Sequence, residues 1–280
     1  MLNFDELYQS AIRTIRDVIE DIRFKRDLNL EPTLACVEKI CNYMSSYTNI
    51  FTSLNSVENK YPYLYSHPVN VTFLSYEIGK WLNLSQSELF GLACGAFLHD
   101  IGKAKIRDSL LNKTEELSIN EMKIMRTHSI IGYQLVEKMN VLDQEALLGI
   151  LHHHERIDGS GYPMGLKGDQ ISLNGRIIAI ADIFDATTST KAYREKRSPF
   201  KAVEEIAASG FASLDPYICQ TFVNKSIDFF YRSSVKLSNE QVGEIIYINR
   251  EEKTRPLIRC YENVYLDLSK ERNIAIVEVL

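Results

Sequence analysis

Seven side chains of this sequence have the types and settings of metal ligands: His67, His99, Asp100, His128, His153, His154 and Asp182. Each stands where a helical period calls for an apolar residue. His99-Asp100 closes a stretch whose inward phase is Leu89, Leu92, Ala93 and Ala96, and Asp100 follows Ala96 by one turn on that face. His128 shares a stripe with Ile124, Met125, Ile131 and Leu135, and His154 continues that of Leu147, Ile150 and Leu151. His67 leads into Val71, Leu74 and Ile78, while Asp182 and Asp185 lie one turn apart in the apolar run 177–186. A single inward histidine is more often a satisfied core residue than a ligand, and a single inward aspartate is often a cap. A set this large is harder to dismiss, because one metal cluster removes the burial cost of every member together. Imidazoles with a few carboxylates suit iron, manganese or zinc better than magnesium or calcium. Two ions sharing a carboxylate and a water would generate a hydroxide and clamp a phosphate, an arrangement suited to phosphoester hydrolysis.

The elements that must position these groups are helical. The stripe Phe4, Leu7, Ala11, Ile15, Val18, Ile22 predicts an amphipathic helix over 4–26, and a second follows over 33–54 after Pro32. Further helices are expected at 69–82, 86–100, 119–139 and 143–153, two of them opened by the capping boxes Ser85/Glu88 and Ser118/Glu121. Glycines and Pro163 make 154–174 a loop. Helices resume over 175–188 and after Ser198-Pro199 and Asp215-Pro216, where proline takes the first helical position. The tail changes character: 242–249, 255–261, 263–268 and 273–279 are short, β-branched and alternating, and predict a small sheet. The N-terminal stripe is short for a dimerising coiled coil, so packing onto the chain's own core is the preferred reading.

Composition bounds the function. At 280 residues with 45% apolar and 25% charged content, the chain can bury a sizeable core. A net charge of −5 argues against a partner that is a nucleic-acid polymer, but not against a small anionic nucleotide. The start is acidic where a secretory signal would be basic, and no apolar run reaches the roughly 20 residues of a membrane span, so a cytoplasmic protein without a membrane is expected. The 5 cysteines form no C-x-x-C pair and read as reduced packing thiols.

Two runs of residues carry a family resemblance. His99-Asp100-Ile101-Gly102-Lys103 resembles the HD-x-G-K signature, and His153-His154-Glu155 with Asp158-Gly159-Ser160-Gly161-Tyr162-Pro163 resembles the signature of the HD-GYP proteins. The likeness continues through Gly175-Arg176 and 181–186, and more weakly over 61–222. It implies a mainly α fold, an HD-type helical bundle, with an N-terminal helical region (1–60), a catalytic domain (61–235) and a small β appendage (236–280). It also implies a bacterial second-messenger enzyme, a phosphodiesterase that opens cyclic di-GMP to linear pGpG, or on to GMP, through a metal-bridging hydroxide. The seven residues named above become the ligands of two divalent ions, iron or manganese with zinc or nickel as alternatives, and Asp100 bridges them.

By the same resemblance Lys103 meets the scissile phosphate, Gly161, Tyr162 and Pro163 border the substrate, and Lys191 and Arg194 are phosphate-binding cations. Lys191-Ala192-Tyr193 departs from the usual Arg-Pro-Tyr, and a lysine lacks the bidentate fork of arginine. His152 is left over and takes the plain role of a helix-end residue. The glycines and Tyr162 could equally serve a loop that lids the core, although its place directly after two ligands favours a functional loop. Some members carry a glutamate four residues before the first ligand, where it helps to hold a third ion. Tyr63 stands there instead, and a phenol with a pKa near ~10 is a poor substitute for a carboxylate, so two metals and pGpG are expected. Rival readings are a cyclic di-GMP sensor or protein-docking module without turnover, and an HD nucleotidase acting on mononucleotides. A homodimer or a signalling-protein partner stays open.

Overall fold

The computed structural model describes residues 3–46, 49–57, 60–189, 198–210 and 212–280. Helices α1 (Phe4–Arg23), α2 (Glu31–Ser46) and α3 (Ile50–Ser56) lead into α4 (Tyr63–Trp81) and α5 (Gln86–Leu98). The short α6 (Asp108–Leu111) and α7 (Ile119–Met125) precede α8 (His128–Glu137) and α9 (Gln144–His152), and α10 (Leu173–Thr188), α11 (Pro199–Gly210) and α12 (Pro216–Ser226) complete the helical part. Strands β1 (Ser234–Leu237), β2 (Val242–Tyr247), β3 (Leu257–Cys260), β4 (Tyr265–Asp267) and β5 (Ile276–Val279) form an antiparallel sheet of order β4-β3-β2-β1-β5.

At the centre lies α5, buried on nearly every side by α2, α4 and α9, which accounts for its almost uninterrupted apolar sequence. Both expected capping boxes are present: the Ser85 and Ser118 side chains accept from the backbone N–H of Glu88 and Glu121, whose carboxylates reach back. The stripe of α1, from Leu7 to Ile22, packs on α2, α4 and the 3₁₀ turn Ile101–Lys105 of its own chain. A fully buried Leu or Ile contributes roughly 1.5–3 kcal/mol, so α1 is anchored firmly beside the centre. All five cysteines are free and buried, and among the described residues no helix is long and apolar enough to cross a membrane.

Four elements depart from expectation. Helix α4 begins at Tyr63, not Val69, and runs through the buried Pro68, which as the sixth residue of the helix gives up the backbone bond to the Leu64 carbonyl. The single helix expected over 119–139 is broken at Arg126-Thr127 into α7 and α8. There the Met125 carbonyl accepts from the His128 ring at 2.7 Å and the Ile124 carbonyl from the Thr127 hydroxyl at 2.7 Å, so side chains take acceptors a continuous helix would use. Ile124 consequently faces solvent and does not share a buried stripe with His128. The helix expected over 33–54 is likewise split into α2 and α3. Strand β1 was not anticipated; its Val235 and Leu237 join Ile245 and Ile258 in the same buried cluster as the helices. The sheet is also tied to the helical part by the Ser198 hydroxyl on the Ile276 carbonyl (2.8 Å) and by Arg255 on Glu204 (3.6 Å).

Gly102 lets the turn after α5 lie directly against α8: a Cβ there would stand 1.9 Å from the His128 carbonyl oxygen and 2.7 Å from the Gly132 nitrogen. Gly102→Ala is therefore expected to destabilise the fold by about 1–3 kcal/mol through forced displacement of α8. Thermal denaturation checks this, and an unchanged melting temperature would mean that the helix end can shift freely.

Candidate metal centre

The histidines converge because helices end where they stand. His99 caps α5 and His153 caps α9, while His128 is the first residue of α8. Each offers its Nδ1 to the carbonyl three residues back, Ala96, Ile150 and Met125 respectively, at 2.7 Å. Those carbonyls lack helical partners at a helix end, so the bond satisfies the backbone and assigns the ring proton to Nδ1. The Nε2 lone pairs are thereby aimed into one buried space.

Asp100 lies in the middle of that space. Its Oδ1 is 3.4 Å from His128 Nε2, and its Oδ2 is 3.5 Å from His99 Nε2 and 3.6 Å from His67 Nε2. Asp182, reaching in from α10, stands 3.1 Å from His67 Nε2 and 3.8 Å from His154 Nδ1. The donor atoms form two groups, Asp100 with His128, His153 and His154, and Asp100 with His67 and His99, each within 4.8 Å of one another. The seven candidate ligands are brought together, Asp182 through its approaches to His67 and His154, and Asp100 belongs to both groups with one oxygen toward each.

Protons do not explain this arrangement. The Nε2 atoms of His128 and His153 face each other at 3.2 Å although both Nδ1 positions hold the ring proton. Burial pushes His128 down to about 4 and, reinforced by neighbouring histidines, drives His153 well below the ordinary histidine range. Burial likewise depresses His99 and His154. Two neutral lone pairs at that distance repel. His99 Nε2 and Asp100 Oδ1 are moreover buried without a hydrogen-bond partner, a costly condition for polar atoms. Two ligands about 2.1 Å from a shared tetrahedral ion would lie about 3.4 Å apart, close to the separations seen here. The cluster fits a divalent metal.

His67 behaves differently. Burial opposes its charge, but hydrogen bonds and charge from Asp182 and Asp185 outweigh that and raise its pKa to about 9. Its Nδ1 meets Asp185 Oδ2 at 2.6 Å, and the Tyr63 hydroxyl and ring pack on the same imidazole (3.0 Å and 4.8 Å between centroids). Tyr63 thus lies against the candidate ligand His67, on its Nδ1 side. Burial also opposes the charges of Asp100 and Asp182, yet Lys103 and the histidines hold Asp100, and His67 holds Asp182, well below the usual carboxylate range.

Around the cluster, Lys103 in the 3₁₀ turn pairs with Asp100 Oδ2 at 2.5 Å. Tyr162 stacks on His154 at 4.6 Å, and the Arg126 guanidinium lies over the outer face of Tyr162 at 5.0 Å. The Tyr162–Pro163 peptide is cis, and Gly161 sits where a Cβ would meet the Arg156 nitrogen at 2.4 Å. Glu155, buried, clamps the loop by accepting from the backbone N–H of Met164 (2.7 Å) and Leu166 (2.9 Å). His152 points away from the cluster, its Nδ1 accepting from the Ser172 N–H at 3.2 Å, in keeping with a helix-end role. Lys191 and Arg194 lie outside the described residues. The sequence reading missed Arg126, an exposed cation with no periodic signal, and the clamp made by Glu155.

Residues 53–218 match the HD domain family model. The chain is similar to a cyclic di-GMP phosphodiesterase of Pseudomonas aeruginosa, with 27% identity across 91% of this chain and 61% of that protein. It is also similar to a 3′3′-cGAMP-specific phosphodiesterase of Vibrio cholerae, with 30% identity across 73% of this chain and 46% of that protein. It therefore spans less than two thirds of the length of either. Its fold resembles that of an HDG"Y"P protein from Bdellovibrio bacteriovorus, with a TM-score of 0.62 and 21% identity, covering 79% of this chain and 70% of the other.

A metal ligand must be free of its proton, and at pH 7.5 His67 alone among these groups has a pKa above the solution pH. Binding of a divalent cation should release about one proton there, with affinity rising up to about tenfold per pH unit until about 9. In the metal-free protein the same raised pKa contributes stability that is fully present below about 6.5 and lost as pH rises through about 9. Calorimetric titration in buffers of different ionisation enthalpy counts the protons; release of several would show that the other imidazoles hold theirs.

Proposed function

This chain belongs to the HD domain family and carries the HD-GYP signature on that family's helical frame, and on that premise we propose that it hydrolyses a phosphodiester of cyclic di-GMP with two divalent ions held in the cluster. The observation that carries this reading is the sharing of Asp100. One carboxylate with an oxygen toward each of two imidazole groups is the arrangement that a pair of ions acting on one phosphate requires.

We assign His128, His153 and His154 to one ion, His67 and His99 to the other, Asp100 to both, and Asp182 to the edge between His67 and His154. When bound, the ions supply Lewis acidity toward the phosphate and acidify a water. Lys103, held beside Asp100, is placed to offset negative charge gathering on the phosphoryl oxygens. Tyr162, held by the loop that Glu155 clamps, walls the edge of the cluster between His154 and Arg126. Arg126 above it provides a cation for the phosphate that is not being cleaved. Lys191 and Arg194 are retained as further phosphate-binding cations, and Gly161 and Pro163 as shapers of the substrate edge.

The relatives are named for cyclic di-GMP and for 3′3′-cGAMP, so the substrate class is a cyclic purine dinucleotide, with cyclic di-GMP our first choice. We favour iron or manganese over zinc or nickel on the family resemblance, since the imidazole-rich donor set by itself suits iron, zinc and nickel alike. Tyr63 gives the second reason for two ions: by the resemblance its position carries the glutamate that helps to hold a third ion in some members, and here it is a phenol. We accordingly propose pGpG as the product, action in the cytoplasm, and a division into a helical lead-in (1–60), a catalytic unit (61–235) and a β appendage (236–280).

Anaerobic purification, metal analysis and a cyclic di-GMP assay on one sample test the reading. About two ions per chain and a linear product are expected; a metal-loaded protein that binds the dinucleotide without opening it would replace the enzyme with a sensor. Asp100→Ala should lose both metal and turnover, since it removes a ligand from both groups. Lys103→Ala should keep its metal while kcat falls by a barrier of about 2.7–4 kcal/mol. Loss of metal in Lys103→Ala would reassign that lysine to holding Asp100.

A further inference from the structure

The Nδ1 of His67 faces away from the cluster and begins a chain of hydrogen bonds that ends outside residues 53–218, the part matched by the family model. Asp185 Oδ2 takes Nδ1 at 2.6 Å. Its other oxygen, Oδ1, accepts from the Asn70 side-chain amide at 2.7 Å and from the Ser189 hydroxyl at 3.1 Å. Asn70 Oδ1 in turn accepts from the Tyr8 hydroxyl at 2.7 Å. Tyr8 belongs to α1, its ring fixed among Phe4, Tyr61 and Phe73.

Each bond has one polarity. The phenol donates to the amide oxygen, the amide nitrogen donates to the carboxylate, and the carboxylate accepts the imidazole N–H. Reversing Asn70 would set its oxygen against Asp185, so the acceptor-only carboxylate fixes the amide orientation, and the Tyr8 hydroxyl, donating to the amide oxygen that this orientation turns toward it, holds the amide in place against Asp185. A carboxylate fixed behind a histidine keeps the proton on Nδ1 and the lone pair on Nε2, and makes that lone pair a stronger donor.

We propose that Tyr8, acting through Asn70 and Asp185, is a positioning residue for His67, so that the N-terminal helix sets the affinity of the metal centre. This rests on the reading of His67 as a ligand. Tyr8→Phe isolates the effect, because it removes one oxygen atom and keeps the ring that packs α1 against α4.

The test uses the full chain loaded with Co(II), whose affinity is read by competition with a chelating dye and whose coordination is read from its visible absorption. Asp185→Asn should weaken Co(II) by about 10–100-fold and shift the spectrum. Tyr8→Phe should weaken it by about tenfold, and should cost nothing more when added to Asp185→Asn, since both act through the same bond. Asn70→Leu should reproduce the loss without touching α1. Wild-type affinity in Tyr8→Phe, or an equal further loss in the Asp185→Asn background, would overturn the relay and leave the ligand reading intact. If His67→Ala binds Co(II) as the wild type does, the ligand reading fails, and the relay with it.

Discussion

Burial of lone pairs governs this molecule. Imidazoles from α4, α5, α8 and α9 meet two carboxylates in the middle of a helical core, and protons cannot reconcile them. Adding protons to the imidazoles is opposed by burial, as the depressed His128 and His153 show. Leaving them neutral sets two Nε2 atoms face to face at 3.2 Å and strands His99 Nε2 and Asp100 Oδ1 without partners. A cation answers both difficulties. Much else follows from meeting that one condition, since the helices must end where the rings are needed and the rings must be turned the same way.

The turning is done by the helix ends themselves. A carbonyl in the last turn of a helix needs a donor, and a histidine three residues later supplies one from Nδ1, leaving Nε2 to point onward. His99, His128 and His153 repeat this device on three different helices. Gly102 then allows the turn after α5 to touch α8, which brings two of those ends together. On the open side Glu155 holds the loop that follows the ligands by two backbone N–H groups, so that Tyr162 stacks on His154. The residues of the two signatures are therefore part chemistry and part carpentry, and the buried glutamate belongs to the second kind.

That division explains what was legible in the sequence. The candidate ligands stood out because a histidine or aspartate on an apolar face is a local contradiction, visible in a single stripe. The helical order and both capping boxes were legible for the same local reason. The break between α7 and α8 was not, because the competition of the His128 ring and Thr127 hydroxyl for carbonyls appears only in three dimensions. Strand β1 hid because a run as short as Ser-Val-Lys-Leu takes its extended form from β2 and β5 on either side, not from its own pattern. Tyr8 was not in the predicted stripe of α1, and nothing in a helical period reveals where a phenol's oxygen points. Asp185 left a trace, one turn from Asp182 in an apolar run, but its service to His67 depended on a contact 118 residues distant in the chain.

Charge sets the scale of recognition. The chain carries a net −5, so its overall field does not draw in a polyanion. Around the cluster the balance is reversed: in the proposed loaded state two divalent ions outweigh Asp100 and Asp182, and Lys103 and Arg126 add to the excess. Such a positive spot in an acidic protein acts over roughly a Debye length, about 8 Å at physiological salt. It can seize a ligand that carries its phosphates close together, and gains little from one whose charges extend beyond it. A cyclic dinucleotide places two phosphates on one small ring. Matching one to the ions and the other to a nearby cation uses the whole of that short-range field, which is why the local chemistry of the site and the acidity of the whole chain favour the same class of substrate.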